Sequence, residues 1–388
     1  MWSVLATRAA SKFGTPLYLS RWRPVLDKVA DVERRLASTP VRSWLSFKTH
    51  PVLPLAAAWS RTGRGIEVTS EYEMAAVASA GCRAEQLLVN GVAKHSWMRA
   101  LPHEGLRVHF DSVREADVLL ETAARQRWRI GLRCHVPAER DRTEPEFGGQ
   151  FGLSWDEVAC VARQCASAGV DVEGLHFHLG QGHRRPDDYG RSVDYLVQVA
   201  RAAGITPRYV DCGGGLDDDA DVASTLANLE AAVGRAREAL PTLNEVWLEN
   251  GRYLTRASAA LVVRVLDVKI RRECRYVICD GGRTNHALAA DHGAHKTVVV
   301  PDHRGAKVLT TVAGPTCMTD DRLGRFMLPE GIGPGDLIVW LEAGAYHLPW
   351  ETRFSQGLCA VVWADETDAL SLARARETPA AWSRSWQT

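Results

Sequence analysis

Short apolar or alternating runs recur between residues 40 and 250, and the stretches between them repeat apolar residues at helical spacing. WLSF (44–47), IEVTS (66–70), QLLVN (86–90) and LRVHF (106–110) read as strands. So do WRIGLRC (128–134), GLHFHL (174–179), RYVDC (208–212) and EVWLE (245–249). EYEMAAVASAG (71–81) and DYLVQVARAAG (194–204) read as helices that stop at glycine. Strands alternating with helices imply parallel pairing, and a count of eight predicts a closed TIM-type (β/α)8 barrel.

After residue 255 the rhythm changes. ALVVRVLDVKI, RYVICD, KTVVV, AKVLTTVA, DLIVWLE and GLCAVVWAD are strand-like, with turns between them and few helical patterns. They predict a separate β domain. The expected division is a barrel over 21–254 and a β domain over 255–375 that also takes in 1–20 with its N-terminal strand. The chain beyond about 366 is polar and reads as a tail, disordered over 376–388.

Composition narrows the partners. The 388 residues are 46% hydrophobic and 24% charged, with a formal net charge of zero. No block of like charge supports nucleic acid or an anionic membrane as a partner. No stretch has the length to span a bilayer. Nine dispersed cysteines without a CxxC pair suggest reduced thiols in a cytoplasm, not a disulfide framework or zinc ribbon. MWSVLATRAASKFG at the N-terminus is mildly basic, its apolar stretch is too short for a secretory signal, and a transit peptide is disfavoured. The lysines are Lys12, Lys28, Lys48, Lys94, Lys269, Lys296 and Lys307, so candidates for amine chemistry are few.

In a barrel of this kind chemistry gathers at the C-terminal ends of the strands. Those ends carry Lys48, Ser70, Asn90, Arg133, His178, the glycines 213–215, and Glu249 with Arg252. Lys48 closes the apolar run of WLSFKTHP, where an ammonium must snorkel into water, find a partner or lose its proton. HFHLGQ sets His176 and His178 two apart, on one side of a strand. They could be a metal pair, hydrogen-bonded core histidines, or an imidazole stacked on a cofactor ring. The metal reading is thin, because later strand ends offer Asp211 and Glu249 but no histidine. In DCGGGLDDD three glycines follow the seventh strand, where barrels tend to bind phosphate, although a flexible acidic turn is the plainer reading. ENGRYL ends the eighth strand with Glu249 and, three residues on, the phosphate-binding fork of Arg252, a pair that elsewhere is often a surface ion pair. A lysine for a covalent link, glycines and an arginine for phosphate, and an acid for a ring nitrogen together match pyridoxal 5'-phosphate.

From FGTPLYLS (13–20) to about residue 365 the chain resembles the fold-type III pyridoxal-phosphate decarboxylases, the family of diaminopimelate and ornithine decarboxylases. The landmarks, in order, are SFKTHP, GIEVTS, LVNGVAKHS, HFHLGQ, VDCGGGL, ENGRYL, CDGG, GPTCMTDD and GDLIVWLEAGAY. The resemblance implies that Lys48 is the Schiff-base lysine, that His178 stacks on the ring and that Gly213, Gly214 and Gly215 cradle the phosphate. Glu249 is implied to keep the pyridine nitrogen protonated, with Asn250, Gly251, Arg252 and Tyr346 beside the cofactor. Arg252, Asp280, Met318 and Tyr346 fall at substrate-contacting positions. Cys317 is implied to protonate the carbanion, reaching in from the partner subunit of a homodimer.

The departures concern substrate recognition. The family usually has an acid directly after the cysteine, to meet a distal substrate amine; here Met318 stands there. Leu288 and His292 stand where diaminopimelate decarboxylases carry an arginine and a tyrosine. Gln181 replaces a serine, Glu67 an aspartate, Asn250 a proline, and FS (354–355) replaces FN. The cofactor set is kept while the distal set is not. The expected activity is therefore decarboxylation of an amino acid or amino-acid conjugate other than diaminopimelate, lysine or ornithine. Biosynthesis of a specialised metabolite fits better than lysine or polyamine metabolism. The competing readings are a racemase or epimerase on the same barrel, a non-catalytic relative, which would be expected to lose Lys48 or Cys317, and a barrel metallohydrolase. No resident metal is expected.

Overall fold

The computed structural model describes residues 1–100, 103–136, 149–180, 185–216, 222–286 and 295–387. The chain opens with a helix, Trp2–Phe13, and strand β1 (Leu17–Arg21). Eight strands follow: β2 (Val41–Ser46), β3 (Gly65–Val68), β4 (Leu87–Val89), β5 (Arg107–Phe110), β6 (Arg129–Arg133), β7 (Val172–His176), β8 (Tyr209–Asp211) and β9 (Glu245–Asn250). Eight more complete it: β10 (Ala259–Arg271), β11 (Cys274–Cys279), β12 (Thr297–Val300), β13 (Lys307–Ala313), β14 (Arg322–Pro329), β15 (Leu337–Trp340), β16 (Ala360–Ala364) and β17 (Leu370–Arg374). Among the described residues no helix is long and apolar enough to cross a membrane.

Contacts divide the chain into two units, one of residues 28–48 and 55–253, the other of 1–27, 49–54 and 254–388. In the first, β2 to β9 close a parallel barrel in sequence order, with β2 beside both β3 and β9. Its interior is filled by large rings set against missing side chains. Tyr209 lies flat on Trp247, 3.5 Å between centroids, and Trp44 packs on Trp247 at 4.9 Å. A Cβ on Gly174 would fall 2.2 Å from the Tyr209 ring, and one on Gly65 would fall 2.1 Å from Trp44. Those glycines are the space the aromatic rings occupy, which is how a barrel interior reaches close packing. Helices start where serines follow strands. Ser70 accepts the Glu73 N–H at 3.3 Å and Ser112 accepts the Glu115 N–H at 3.2 Å, caps that satisfy otherwise orphaned donors.

The other unit is a nine-stranded mixed sheet whose main path runs β14-β13-β11-β10-β1-β16-β17, with β12 and β15 attached through β10. β1 pairs antiparallel with β10 and parallel with β16, so the N-terminal strand belongs to this sheet. The helix Trp2–Phe13 buries Leu5, Ala6, Ala9 and Ala10 against Leu17, Leu19, Val262, Val339 and Val362.

Two expectations need correction. The described part of the polar stretch after 366 carries secondary structure: β17 pairs with β16, and Pro379–Arg384 forms a short helix capped by Thr378. The strand through HFHLGQ ends at His176, so His178 is not on it and the two histidines do not share a strand face.

Candidate active site

β2 ends at Ser46, and a single 3-10 turn, Phe47–Thr49, carries Lys48. The Lys48 ammonium donates to both oxygens of Glu67, at 2.7 and 2.6 Å, and to the Ser46 hydroxyl at 2.9 Å. Ser46 in turn donates to Glu67. The lysine side chain keeps 37% of its exposure while Glu67 keeps 1%, so a buried carboxylate holds a partly exposed lysine. In the sequence Glu67 stands out only as a replaced aspartate. Its role as Lys48's partner follows from β3 lying next to β2.

Glu249, near the end of β9, lies on the other side of β2, opposite Trp44 in register. It is 5% exposed and accepts a hydrogen bond from the Asn90 amide. Burial pushes its carboxyl well above the usual range; the charges of Asp211 and Glu67 add to this and Lys48 opposes it. Asp211 is fully buried, accepts the Gly213 N–H at 2.8 Å, and is also pushed up by burial. This part of the barrel therefore holds more carboxyl groups than cations, and it favours any positive group placed against Glu249.

His176 ends β7 buried, with its ring stacked on His109 of β5 at 4.8 Å. One ligand-type atom each from His109, His176 and Glu249 lie within 4.8 Å of one another. Sequence reading misses His109 because it looks for a third ligand only on later strands; the alternation of LRVHF carries the signal. The same carboxylate is the one expected from the sequence to meet the ring nitrogen of a cofactor.

Past β7, His178 is exposed and its Nδ1 accepts the Gly214 N–H at 3.1 Å. Gly213 has φ +63 and Gly215 φ +108, conformations that favour glycine. A Cβ on Gly213 would sit 2.7 Å from His178 Nδ1, and one on Gly214 would sit 2.5 Å from the Glu249 carbonyl. The glycines thus bring this turn against His178 and β9, with two of its amide donors bonded to Asp211 and His178. Asn250 is fully buried and its side-chain amide finds no hydrogen-bond partner among the described residues. Gly251 is buried, and Arg252 opens the short helix Arg252–Thr255, half-buried.

The remaining expected residues belong to the sheet unit. Tyr346 is half-buried at φ +64, and its N–H donates to the Thr49 carbonyl at 2.8 Å. Asp280 accepts from the Thr15 hydroxyl at 2.6 Å and from the Arg264 N–H at 2.8 Å. Both its oxygens accept hydrogen bonds inside the sheet unit. The turn between β13 and β14 folds around buried Asp321, whose carboxylate accepts the Arg283 N–H at 2.6 Å and the Thr316 N–H at 2.9 Å. That turn presents Cys317 exposed, with Met318 half-buried beside it. Gln181, Leu288 and His292 lie outside the described residues.

A partly exposed lysine just past β2 and buried acids on the two strands beside it fit pyridoxal phosphate, and comparison with known proteins agrees. Residues 24–256 match the family model described as "Pyridoxal-dependent decarboxylase, pyridoxal binding domain". The chain is 27% identical to the diaminopimelate decarboxylase of Deinococcus radiodurans, over 96% of this chain and 95% of that one. It is 26% identical to the L-glutamyl-[BtrI acyl-carrier protein] decarboxylase of Niallia circulans, over 88% and 86%. Its fold superposes on diaminopimelate decarboxylase from M. jannaschii, in co-complex with L-lysine, with a TM-score of 0.84 at 20% identity, covering 97% and 93%. With its barrel, its lysine–glutamate pair and its match across most of the barrel, the chain belongs to the pyridoxal-dependent decarboxylases, fold-type III enzymes that use pyridoxal phosphate on amino-acid substrates.

Proposed function

We propose that this decarboxylase acts on an amino acid whose distal end carries no free ammonium, such as an amino-acid conjugate, and not on diaminopimelate, lysine or ornithine. The observation that carries the reading is the Asp321-anchored turn, which sets apolar Met318 directly after exposed Cys317. A thioether there cannot pair with an ammonium, and an ammonium left buried and unpaired is strongly disfavoured. The similarity to a decarboxylase of a glutamyl group on a carrier protein supports a conjugated substrate.

Pyridoxal phosphate, when bound, supplies an aldehyde for a lysine and a cationic ring that takes up the electrons left when carbon dioxide departs. In this reading Lys48 provides the amine, with Glu67 and Ser46 holding it in place. Glu249 keeps the ring nitrogen protonated by offering its charge in a buried setting. His178, oriented by the Gly214 N–H, covers the ring, while Gly213 to Gly215, Asn250, Gly251, Arg252 and Tyr346 hold phosphate and substrate. Cys317 returns a proton to the substrate carbon. Because Cys317 is exposed on its own chain, the reading includes a homodimer in which it serves the partner's site. Leu309 and Met327, direct cross-strand partners that are 46% and 56% exposed, give that dimer an apolar surface.

A screen of free and conjugated amino acids for carbon dioxide release by the cofactor-loaded protein tests the substrate class. Release should be slow with diaminopimelate, lysine and ornithine, and Met318→Glu should improve substrates with a free distal amine. Efficient decarboxylation of any of the three by the unmodified protein would overturn the specificity reading. Cys317→Ala should leave cofactor binding intact and lower turnover by roughly 10²–10⁴-fold, as expected for a lost proton donor. Light scattering that shows a monomer at assay concentration would remove the shared site.

A further inference from the structure

His176 is 1% exposed, and neither of its ring nitrogens finds a hydrogen-bond partner among the described residues. Buried polar groups are almost always bonded, so one orphaned on both sides calls for a reason. Glu249 Oε1 lies 3.7 Å from His176 Nε2. That same oxygen already accepts the Asn90 amide.

The imidazole is held from behind. It stacks on His109 at 4.8 Å and 26°, and His109 Nε2 meets the Tyr209 hydroxyl at 3.0 Å. Tyr209 lies on Trp247, and a Cβ on Gly131 would come within 2.5 Å of His109 and 2.6 Å of the Tyr209 hydroxyl. The column leaves His176 little freedom except toward Glu249. Burial, and after it the neighbouring His109, lower the tendency of His176 to take up a proton. It is therefore a neutral donor.

Resting on the function proposed above, we infer that His176 is a positioning residue for Glu249, donating its Nε2–H to Oε1 once a cationic ring draws that carboxyl into its ionised form. Two donors on one oxygen stabilise a carboxylate over a carboxylic acid. A neutral donor does so without itself becoming the cation, leaving that place to the ring nitrogen. The contact needs to shorten by about 0.7 Å to reach an ordinary N–H···O distance, in keeping with catalytic hydrogen bonds that tighten only when the site is filled.

His176→Phe keeps a ring on His109 and removes the N–H; His176→Gln keeps an N–H without the ring. The full-length protein, freed of cofactor, is titrated with pyridoxal phosphate while tryptophan quenching and the visible band are followed, and its thermal midpoint is measured before addition. His176→Phe should bind the cofactor about tenfold or more weakly, the fold-change of losing a hydrogen bond to a charged group. Its visible band should shift toward the unprotonated ring, its cofactor-free midpoint should not fall, and His176→Gln should recover most of the affinity. Wild-type affinity and spectrum in His176→Phe would overturn the inference. So would equal losses of midpoint and affinity in both variants, which is the mark of a packing role, or stoichiometric zinc held by the wild type through His109, His176 and Glu249. Should His176→Phe fail to fold, His176→Leu takes the same readings. Wild-type protein that takes up no pyridoxal phosphate would defeat the parent reading, whereas normal uptake with an indifferent His176 defeats this one alone.

Discussion

Among the described residues the barrel holds two lysine–glutamate pairs with similar distances and buried acids that differ in how far the lysine is exposed. Lys94 donates to Glu115 at 2.7 Å and to the Gly91 carbonyl at 2.5 Å, with both side chains at 0% exposure. Glu115 also accepts the N–H groups of Lys94 and Asp111, each at 2.9 Å, so its lone pairs are filled from the protein. Lys48 meets Glu67 at a similar distance, but its side chain keeps 37% of its exposure, and beside that acid it donates to the Ser46 hydroxyl. The first pair is buried on both sides; the second joins a buried acid to a lysine that is partly exposed. Distance alone does not tell a reactive lysine from a structural one. The two differ in burial, and the lysine proposed as reactive is the one left partly exposed.

The strongest test separates the two lysines by activity. Lys48→Ala should lose the visible band of bound cofactor and essentially all turnover, with a folded circular-dichroism spectrum. An unchanged band would move the covalent link to another lysine.

Lys94→Ala should do the reverse, because Glu115 would be left buried without its cation. A loss of about 3–5 kcal/mol is expected, read as a thermal midpoint lower by roughly 10 °C for a chain of this size. Replacing both partners, Lys94→Met with Glu115→Leu, should recover most of that loss. A midpoint unmoved by Lys94→Ala would erase the contrast between the pairs.

A third test concerns the acid that faces the partly exposed pair. Glu249 titrates higher in the folded protein than in the unfolded chain, chiefly through burial, with Asp211 and Glu67 adding to it and Lys48 opposing. Such a group favours the fold when protonated, so its contribution is complete below the unfolded carboxyl pKa and is lost as pH rises through the folded one. Relative to wild type, cofactor-free Glu249→Gln should therefore gain stability as pH is raised from about 4. Taking the difference between the two proteins removes the opposite slope of the buried histidines His109 and His176, whose pKa values burial lowers. A difference that stays flat with pH would show that Glu249 carries no such strain. The smallest effect is expected at the buried pair's anchor: Ser112→Ala removes the cap of the helix that bears Glu115 and should cost about 1 kcal/mol in chemical denaturation, with turnover unchanged.

Much of this was legible in sequence because barrel strands are buried on both faces and read as compact apolar runs. All eight fall at or within a few residues of their expected places. β14 and β17 escape sequence reading for the opposite reason. They lie at the ends of the sheet path, and their exposed positions are polar or mixed, so no clean alternation marks them. At the site, Lys48, Glu249 and the glycine run stand out because their residue types are costly or unusual at strand ends. Glu67, Asp211, Asn90 as a partner of Glu249, and His109 do not, because their meaning depends on which strands the closed barrel makes neighbours.

The turn that carries Cys317 and Met318 draws its shape from other residues. Asp321 ties Thr316 and Arg283 together, and Gly282 and Gly314 leave room for it, since a Cβ on either would fall 2.1 or 2.3 Å from its carboxylate. The frame is tied by side chains other than those of Cys317 and Met318. The frame and the two residues it displays are therefore separable: position 318 can be rewritten without unmaking the turn, so its proposed part in substrate choice is one codon away from trial, with the folding risk lodged at 282, 314, 316 and 321.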